Sequence, residues 1–143
     1  MANQDFINSP KAFLGRGWAF PPTFVKGDNA LVMSEAEQNI KDNLFILIST
    51  TVGERIMRPD YGSSFKKLIY EPIDTTFATY ITDQIRNAVL YFEPRIRLDD
   101  VEYEQDAEGG KVNVKINFTI KGNNTRSNIV YPFYLIEGTD VRQ

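Results

Sequence analysis

The fold is decided by one stretch near the carboxyl end, Lys111-Val112-Asn113-Val114-Lys115-Ile116-Asn117-Phe118-Thr119-Ile120-Lys121. Apolar and polar residues alternate along it without a fault, which predicts a β-strand with one buried and one exposed face. Turn-forming residues flank it on both sides, at 106–110 and at 122–124. The pattern therefore predicts a strand joined to both of its neighbours by hairpins.

The two neighbouring segments also alternate, but each contains an irregularity. Before the first hairpin, the apolar phase slips across Asp99-Asp100, which predicts a β-bulge. After the second hairpin, residues 126–136 are apolar on both faces and contain Pro132. Because proline cannot donate to a ladder, this last strand is predicted to lie at a sheet edge. Its second, outward face carries Val130, Tyr134 and Ile136.

Two helices are predicted before the strands. Ser34 and Glu37 have the spacing of a capping box, and an apolar stripe follows from Ala36 to Thr51. Asp74 is the predicted N-cap of a second helix, which Pro94 ends and whose buried stripe is Phe77, Ile81, Ile85, Ala88 and Phe92. A short helix is also predicted over residues 63–70. The predicted fold class is α+β, with two main helices packed on a three- to four-stranded antiparallel sheet.

Residues 1–29 form an extended N-terminal arm in this interpretation, and residues 30–143 form a single domain. Closely spaced prolines and glycines exclude a helix from the arm. Trp18, Phe20 and Phe24 are its predicted anchors, because aromatic side chains usually dock a segment onto another surface. They either cap the protein's own core or attach the arm to a neighbouring protein.

A loop dense in glycine, proline and charge links the two helical regions. Its structural residues are Gly53, Glu54, Arg55, Arg58, Pro59, Asp60, Tyr61 and Gly62. One interpretation is a solvated surface turn with exposed ion pairs, which contribute little. The other is a rigid loop whose arginines are directed at acceptors on a partner or elsewhere in the chain.

Composition excludes several kinds of chemistry. The 143 residues include neither cysteine nor histidine, which excludes thiol catalysis, disulfides, the usual catalytic triads and most transition-metal sites. The net charge of -3 argues against nucleic-acid binding. A signal peptide is not recognisable at the start, and apolar runs are too short to insert into a membrane. We expect synthesis in the cytoplasm and no cofactor.

Any catalyst here would have to use carboxylates, and Glu54, Asp60 and Glu93 are the candidates. Each lies within two residues of an arginine, which favours the ionised form and opposes a role as general acid. Asp99-Asp100 and Asp106 with Glu108 lack a calcium-loop pattern. We therefore expect no catalytic residue and no metal site.

Three stretches together resemble one known family. Residues 17–24, residues 47–62 and Phe92-Glu93-Pro94-Arg95 are similar to the opening arm, the central segment and the Glu-Pro-Arg signature of gp25-like (GPW/gp25) baseplate wedge proteins. The resemblance runs from about residue 15 to 136. It implies a baseplate component of a contractile injection system, such as a phage tail, a type VI secretion apparatus or a phage-tail-like particle.

The resemblance also implies particular partners. Family members attach to the wedge core bundle, here through Glu93, Pro94 and Arg95, and six copies are expected per baseplate ring. They initiate the sheath, here by strand addition at the edge carrying Val130, Pro132, Tyr134 and Ile136. An internal bridge from Arg95 to Glu54 or Asp60 is the alternative for the arginine. A lysozyme-like peptidoglycan hydrolase and a regulatory adaptor are the alternatives for the whole protein.

Overall fold

The computed structural model describes residues 11–27, 30–63, 74–106 and 110–134. After a short 3-10 helix at Ala12–Leu14, its elements are β1 (Arg16–Trp18), β2 (Phe24–Val25), β3 (Ala30–Leu31), β4 (Met33–Glu35), α1 (Ala36–Ser49), α2 (Thr75–Phe92), β5 (Ile96–Gln105), β6 (Lys111–Ile120) and β7 (Thr125–Tyr134). This architecture confirms the predicted α+β fold class. Most of the predicted helix at 63–70, part of the predicted turn at 106–110, and Ile136 lie outside the described residues.

The main sheet has the order β5-β6-β7, and both pairs of neighbours are antiparallel. β6 is central, and its alternating apolar residues, Val112, Val114, Ile116, Phe118 and Ile120, are buried as predicted. The register of β5 on β6 shifts between Leu98 and Asp100, which confirms the bulge. Thr119 is the exception to the alternation, because it is buried and donates its hydroxyl to the Asp99 carboxylate beside the bulge.

Both helices bury one face in the same core. Ile40, Leu44 and Ile48 of α1 join Phe77, Ile81, Ile85 and Val89 of α2 and the inner face of the sheet in one apolar cluster. Asp74 is the N-cap of α2 as predicted, since its Oδ1 accepts a hydrogen bond from the Phe77 amide at 2.8 Å. Within the described residues, neither helix combines the length and apolar character needed to cross a membrane.

The predicted capping box of α1 is wrong. The helix begins at Ala36 with Glu35 as its N-cap, and no side chain caps it. Ser34 lies instead in β4, where it pairs with Gly17 of β1. Strand pairing therefore takes the serine out of the capping position, and its Oγ accepts a hydrogen bond from Asn39 Nδ2 at 3.3 Å.

The N-terminal arm forms a ribbon with the segment that precedes α1. β1 pairs with β4 and β2 pairs with β3, both antiparallel. Backbone hydrogen bonds therefore cross the predicted boundary at residue 29, and the division of the chain into an arm and a domain stays a prediction. Leu14, just before the ribbon, is buried in the main core.

A hydrogen bond between α1 and β7 allows a direct test of this packing. Ser127 donates its hydroxyl to Glu37 Oε1 at 2.6 Å, and Lys41 lies 3.2 Å from the same oxygen. The Ser127 hydrogen bond is the main cause of a lowered Glu37 pKa; burial opposes it and Lys41 adds to it. In Ser127→Ala, we expect the Glu37 pKa, measured by NMR titration, to rise towards its ordinary value.

The sign of the linked stability change follows from the lowered pKa. Ionised Glu37 stabilises the fold above the pKa of the unfolded chain, and this contribution is lost as the pH falls through the folded-state pKa. Ser127→Ala should therefore lose less stability than the wild type on acidification. Ser127→Thr keeps the hydroxyl and is the control. An unchanged Glu37 pKa in Ser127→Ala would contradict the assignment.

Candidate functional site: an open sheet edge, an arginine clasp and a closed loop

β7 forms an edge of the main sheet in the part of the chain that the structure describes. Its inner face packs on the core through Ile129, Tyr131 and Phe133. On the outer face, Val130 and Tyr134 are 51% and 53% exposed. The predicted edge position of the strand is confirmed, and two of its three predicted outward apolar residues are accessible.

The hydrogen-bond pattern determines which backbone groups of β7 point away from the sheet. Asp106 donates its N–H to the Lys111 carbonyl, and Lys121 donates to the Arg95 carbonyl, both at 2.9 Å. Odd-numbered residues of β6 therefore direct their backbone groups to β5, and even-numbered ones direct theirs to β7. Since Val112 pairs with Phe133 and Val114 with Tyr131, the odd-numbered residues of β7 bond to β6.

The even-numbered residues of β7 consequently face the free edge. Asn128, Val130 and Tyr134 present N–H and C=O groups there, whereas Pro132 presents only a carbonyl. Pro132 thus removes no ladder bond from the sheet, which is the physical reason that a proline is tolerated in the middle of this strand. The edge offers a template with a single gap at Pro132.

The opposite edge of the sheet, along β5, differs in charge. Five of the ten residues of β5 are charged, namely Arg97, Asp99, Asp100, Glu102 and Glu104, whereas Arg126 is the only charged residue of β7. Charged side chains on an edge strand oppose the addition of another strand. Of the two edges of the described sheet, β7 is therefore the one less protected by charge.

The Glu93-Pro94-Arg95 segment is an internal clasp. Arg95 Nε and Nη2 donate to the two carboxylate oxygens of Glu93 at 2.6 and 2.7 Å. Its Nη1 donates to the Leu14 carbonyl at 2.6 Å and to Asn39 Oδ1 at 3.0 Å. One guanidinium group therefore joins the end of α2, the first turn of α1 and the N-terminal arm.

The backbone at two glycines lies close to the side chains that form the clasp. A Cβ on Gly15 would lie 3.2 Å from Arg95 Nη1, and one on Gly17 would lie 2.6 Å from Asn39 Nδ2. Glycine in β1 thus lets the ribbon approach α1 closely. An internal bridge of Arg95 is present, but the predicted acceptors, Glu54 and Asp60, were wrong. Sequence reasoning missed Leu14 and Asn39 because backbone carbonyls and single amides carry no sequence pattern.

The loop between Gly53 and Gly62 is closed by its own backbone. Gly53 donates its N–H to the Pro59 carbonyl at 2.9 Å, and Tyr61 donates to the Arg58 carbonyl at 3.1 Å. The Arg55 guanidinium lies 4.1 Å from the centre of the Tyr61 ring, and that ring packs edge-on against Phe92 at 5.0 Å. The segment is therefore closed by main-chain hydrogen bonds, although residues 54–60 are all exposed, and both interpretations of the loop stay predictions.

The loop and the clasp share a cleft of about 280 Å³, lined by Asn43, Ile46, Leu47, Arg55, Tyr61, Phe92 and Glu93. Burial is the main cause of a raised pKa of Tyr61, which Arg55 opposes and Glu93 reinforces. The tyrosine is therefore a neutral wall of the cleft near pH 7.

The three carboxylates weighed as catalysts all have identified partners. Glu93 is held by Arg95, and Asp60 Oδ1 lies 3.4 Å from Arg58 Nε. Glu54 Oε2 accepts a hydrogen bond from the Thr51 amide at 2.9 Å. Within the described residues, no group of three or more potential metal ligands lies together.

The arm anchors divide between two environments. Phe20 packs on Phe45 with ring centres 5.5 Å apart, and Phe45 packs in turn on Tyr131 at 5.2 Å. Phe20 therefore docks the arm onto its own domain. Trp18 and Phe24 are 62% and 71% exposed.

Comparison with known proteins identifies the family. The sequence profile of the family described as baseplate wedge protein gp25 matches residues 34–125. Baseplate protein W of Escherichia phage P2 is 32% identical over 72 residues, which span 50% of this chain and 63% of that protein. The match therefore covers less than two thirds of that relative's length.

Two solved structures share the fold closely. A candidate tail lysozyme from Geobacter sulfurreducens is 37% identical, covers 76% of this chain and 99% of its own, and gives a TM-score of 0.68. A chain of the anti-feeding prophage baseplate is 27% identical, covers 90% and 92%, and gives a TM-score of 0.64. With the profile match spanning most of the described core, the chain belongs to the gp25 family of baseplate wedge proteins.

Proposed function

We propose that this protein is a structural baseplate component that starts the sheath of a contractile injection system. In this proposal, sheath subunits add extended arms to the β7 edge through main-chain hydrogen bonds. The observation that carries the proposal is the outward direction of the even-numbered amides of β7, beside a nearly uncharged outer face. The protein is made in the cytoplasm and then becomes part of the baseplate.

Attachment to the wedge core bundle is the second part of the proposal, and it involves Glu93, Pro94 and Arg95. Pro94 is exposed, and the Arg95 side chain is 28% exposed. The contacts of Arg95 hold this surface in one conformation before a partner arrives, which lowers the entropy cost of binding. Six copies per ring would match the sixfold symmetry of the related anti-feeding prophage baseplate.

The similarity to a candidate tail lysozyme makes hydrolysis the alternative that needs a test. We propose a structural role instead, because both oxygens of Glu93 accept hydrogen bonds from Arg95 and Asp60 pairs with Arg58. Clearing of a peptidoglycan suspension by the purified protein, lost in Glu54→Gln or Glu93→Gln, would overturn this. A regulatory adaptor is the other alternative function. If the protein were such an adaptor, it would be absent from purified baseplates.

Substitution of Tyr134 by proline tests strand addition. Since the Tyr134 N–H points to the free edge, the change removes an edge donor and no bond to β6. Each lost hydrogen bond costs about 1 kcal/mol. We expect about fivefold fewer sheathed baseplates, counted by electron microscopy of assembling cells, and an unchanged melting temperature.

Two matched variants make the test specific. Tyr134→Ala removes the same side chain but keeps the N–H, so sheath should form more often than with proline. Tyr131→Pro removes a bond to β6 and should destabilise the protein itself. Equal sheath formation with Tyr134→Pro and Tyr134→Ala would exclude β7 as the template and favour the ribbon around Trp18.

A further inference from the structure

The loop between Gly53 and Gly62 carries two apolar side chains that are almost fully in water. Ile56 is 96% exposed and Met57 is 88% exposed. Among the described residues, no other large apolar side chain is as accessible; Tyr91 follows at 76%. An isolated exposed leucine or valine is ordinary, but two adjacent side chains at this level form a compact apolar tip.

Within the residues that the structure describes, the hydrogen bonds that close the loop do not depend on the apolar side chains at its tip. The loop is closed by hydrogen bonds from Gly53 to Pro59 and from Tyr61 to Arg58, and none of these involves Ile56 or Met57. Stacking of Arg55 on Tyr61 restrains one flank. On the other flank, Arg58 lies 5.7 Å from the centre of the Phe92 ring and pairs with Asp60. The tip is thus held ready for binding, which reduces the ordering cost of association.

We propose that Ile56 and Met57 insert together into an apolar pocket of a wedge protein, whose rim carries carboxylate or carbonyl groups. This inference rests on the proposed function, because it names a second contact with the same assembly. The arginines on both sides of the apolar pair favour acceptors at the rim. Arg55 also lines the cleft that contains Glu93, so the tip is continuous with the proposed wedge surface.

The local charge favours a protein pocket over a membrane surface. Basic residues attract anionic lipid, but Glu54 and Asp60 lie in the same loop and balance Arg55 and Arg58. A neutral loop with two apolar side chains gains little from anionic lipid. A protein surface can place an acceptor opposite each arginine of the loop and a donor opposite each acid, whereas an anionic lipid surface offers negative charge alone.

The test compares Ile56→Ser/Met57→Ser with Leu90→Ser in cells that assemble the particle. Leu90 is also exposed, at 64%, but lies on α2 outside the loop. Burial of each aliphatic side chain in a pocket stabilises the complex. We therefore expect at least about a tenfold loss of the double variant from purified baseplates. Its melting temperature should equal that of the wild type, and Leu90→Ser should incorporate normally.

A photo-reactive phenylalanine analogue at position 57 supplies an independent readout. Ultraviolet cross-linking in the same cells should join it to a wedge protein, identified by mass spectrometry. Incorporation of the double variant at the wild-type level, or cross-links at position 57 to no wedge protein, would overturn the inference. Binding of the purified protein to phosphatidylglycerol vesicles that is lost in the double variant would overturn it in favour of a membrane contact. Absence of the wild-type protein from baseplates would instead refute the proposed function.

Discussion

Replacement of Arg95 by alanine is expected to lower the free energy of unfolding by about 3 kcal/mol, and the melting temperature by roughly 10 °C. Glu93 is only 3% exposed, so the variant leaves a buried carboxylate without the guanidinium that binds both of its oxygens. The Leu14 carbonyl and Asn39 Oδ1 lose the same donor. Thermal and denaturant unfolding of the purified protein measure the effect.

Arg97→Ala is the matched control for this prediction. Arg97 also pairs with an acid two residues away, Asp99, but its side chain is 69% exposed. Exposed pairs contribute about 0–1 kcal/mol, so little change is expected. Equal destabilisation by the two substitutions would contradict the clasp. Normal stability of Arg95→Ala with lost wedge binding would assign the arginine to the interface alone.

The second large effect is expected for Gly62→Ala, which should destabilise the protein by about 3–4 kcal/mol. Gly62 has a φ of 124°, a conformation that residues with a Cβ rarely adopt. An added Cβ would also lie 2.5 Å from the Thr50 carbonyl oxygen. That oxygen accepts the Ser63 amide at 2.8 Å, so the clash would separate the loop from the end of α1.

Gly53→Ala separates backbone strain from the clash at the other end of the same loop. Gly53 also has a positive φ, of 94°, but a Cβ there would have nothing within 4 Å. Only the conformational cost, about 1–2 kcal/mol, is expected. Equal unfolding free energies for the two variants would show that the contact with Thr50 contributes nothing.

Local sequence patterns were sufficient for the three strands of the main sheet and for α2. The alternation of Lys111–Lys121 predicted the central strand, the phase slip at Asp99-Asp100 predicted the bulge, and Pro132 predicted the edge. Asp74 and Pro94 marked the ends of α2 correctly. These features are readable because a strand or helix with one buried face repeats its apolar residues at a fixed period, and because proline restricts the backbone wherever it occurs.

Contacts between distant segments explain what the patterns missed. Ser34 has the spacing of a capping residue, but its pairing with Gly17 in the ribbon overrides that local preference. Similarly, β5 was not recognised as a second edge, because edge position depends on which strands lie beside each other. The charged residues of β5 could be interpreted as protection of a sheet edge only when the strand order was known.

The sequence by itself determined the α+β class, the central strand and the family resemblance. Tertiary structure alone decided the distant partners of Arg95, since Leu14 and Asn39 lie 81 and 56 residues earlier in the chain. It also decided that the even-numbered amides of β7 face outward. The physical reason is that a local pattern reports the environment of one element, whereas hydrogen-bond partners and free edges depend on how separate elements come together.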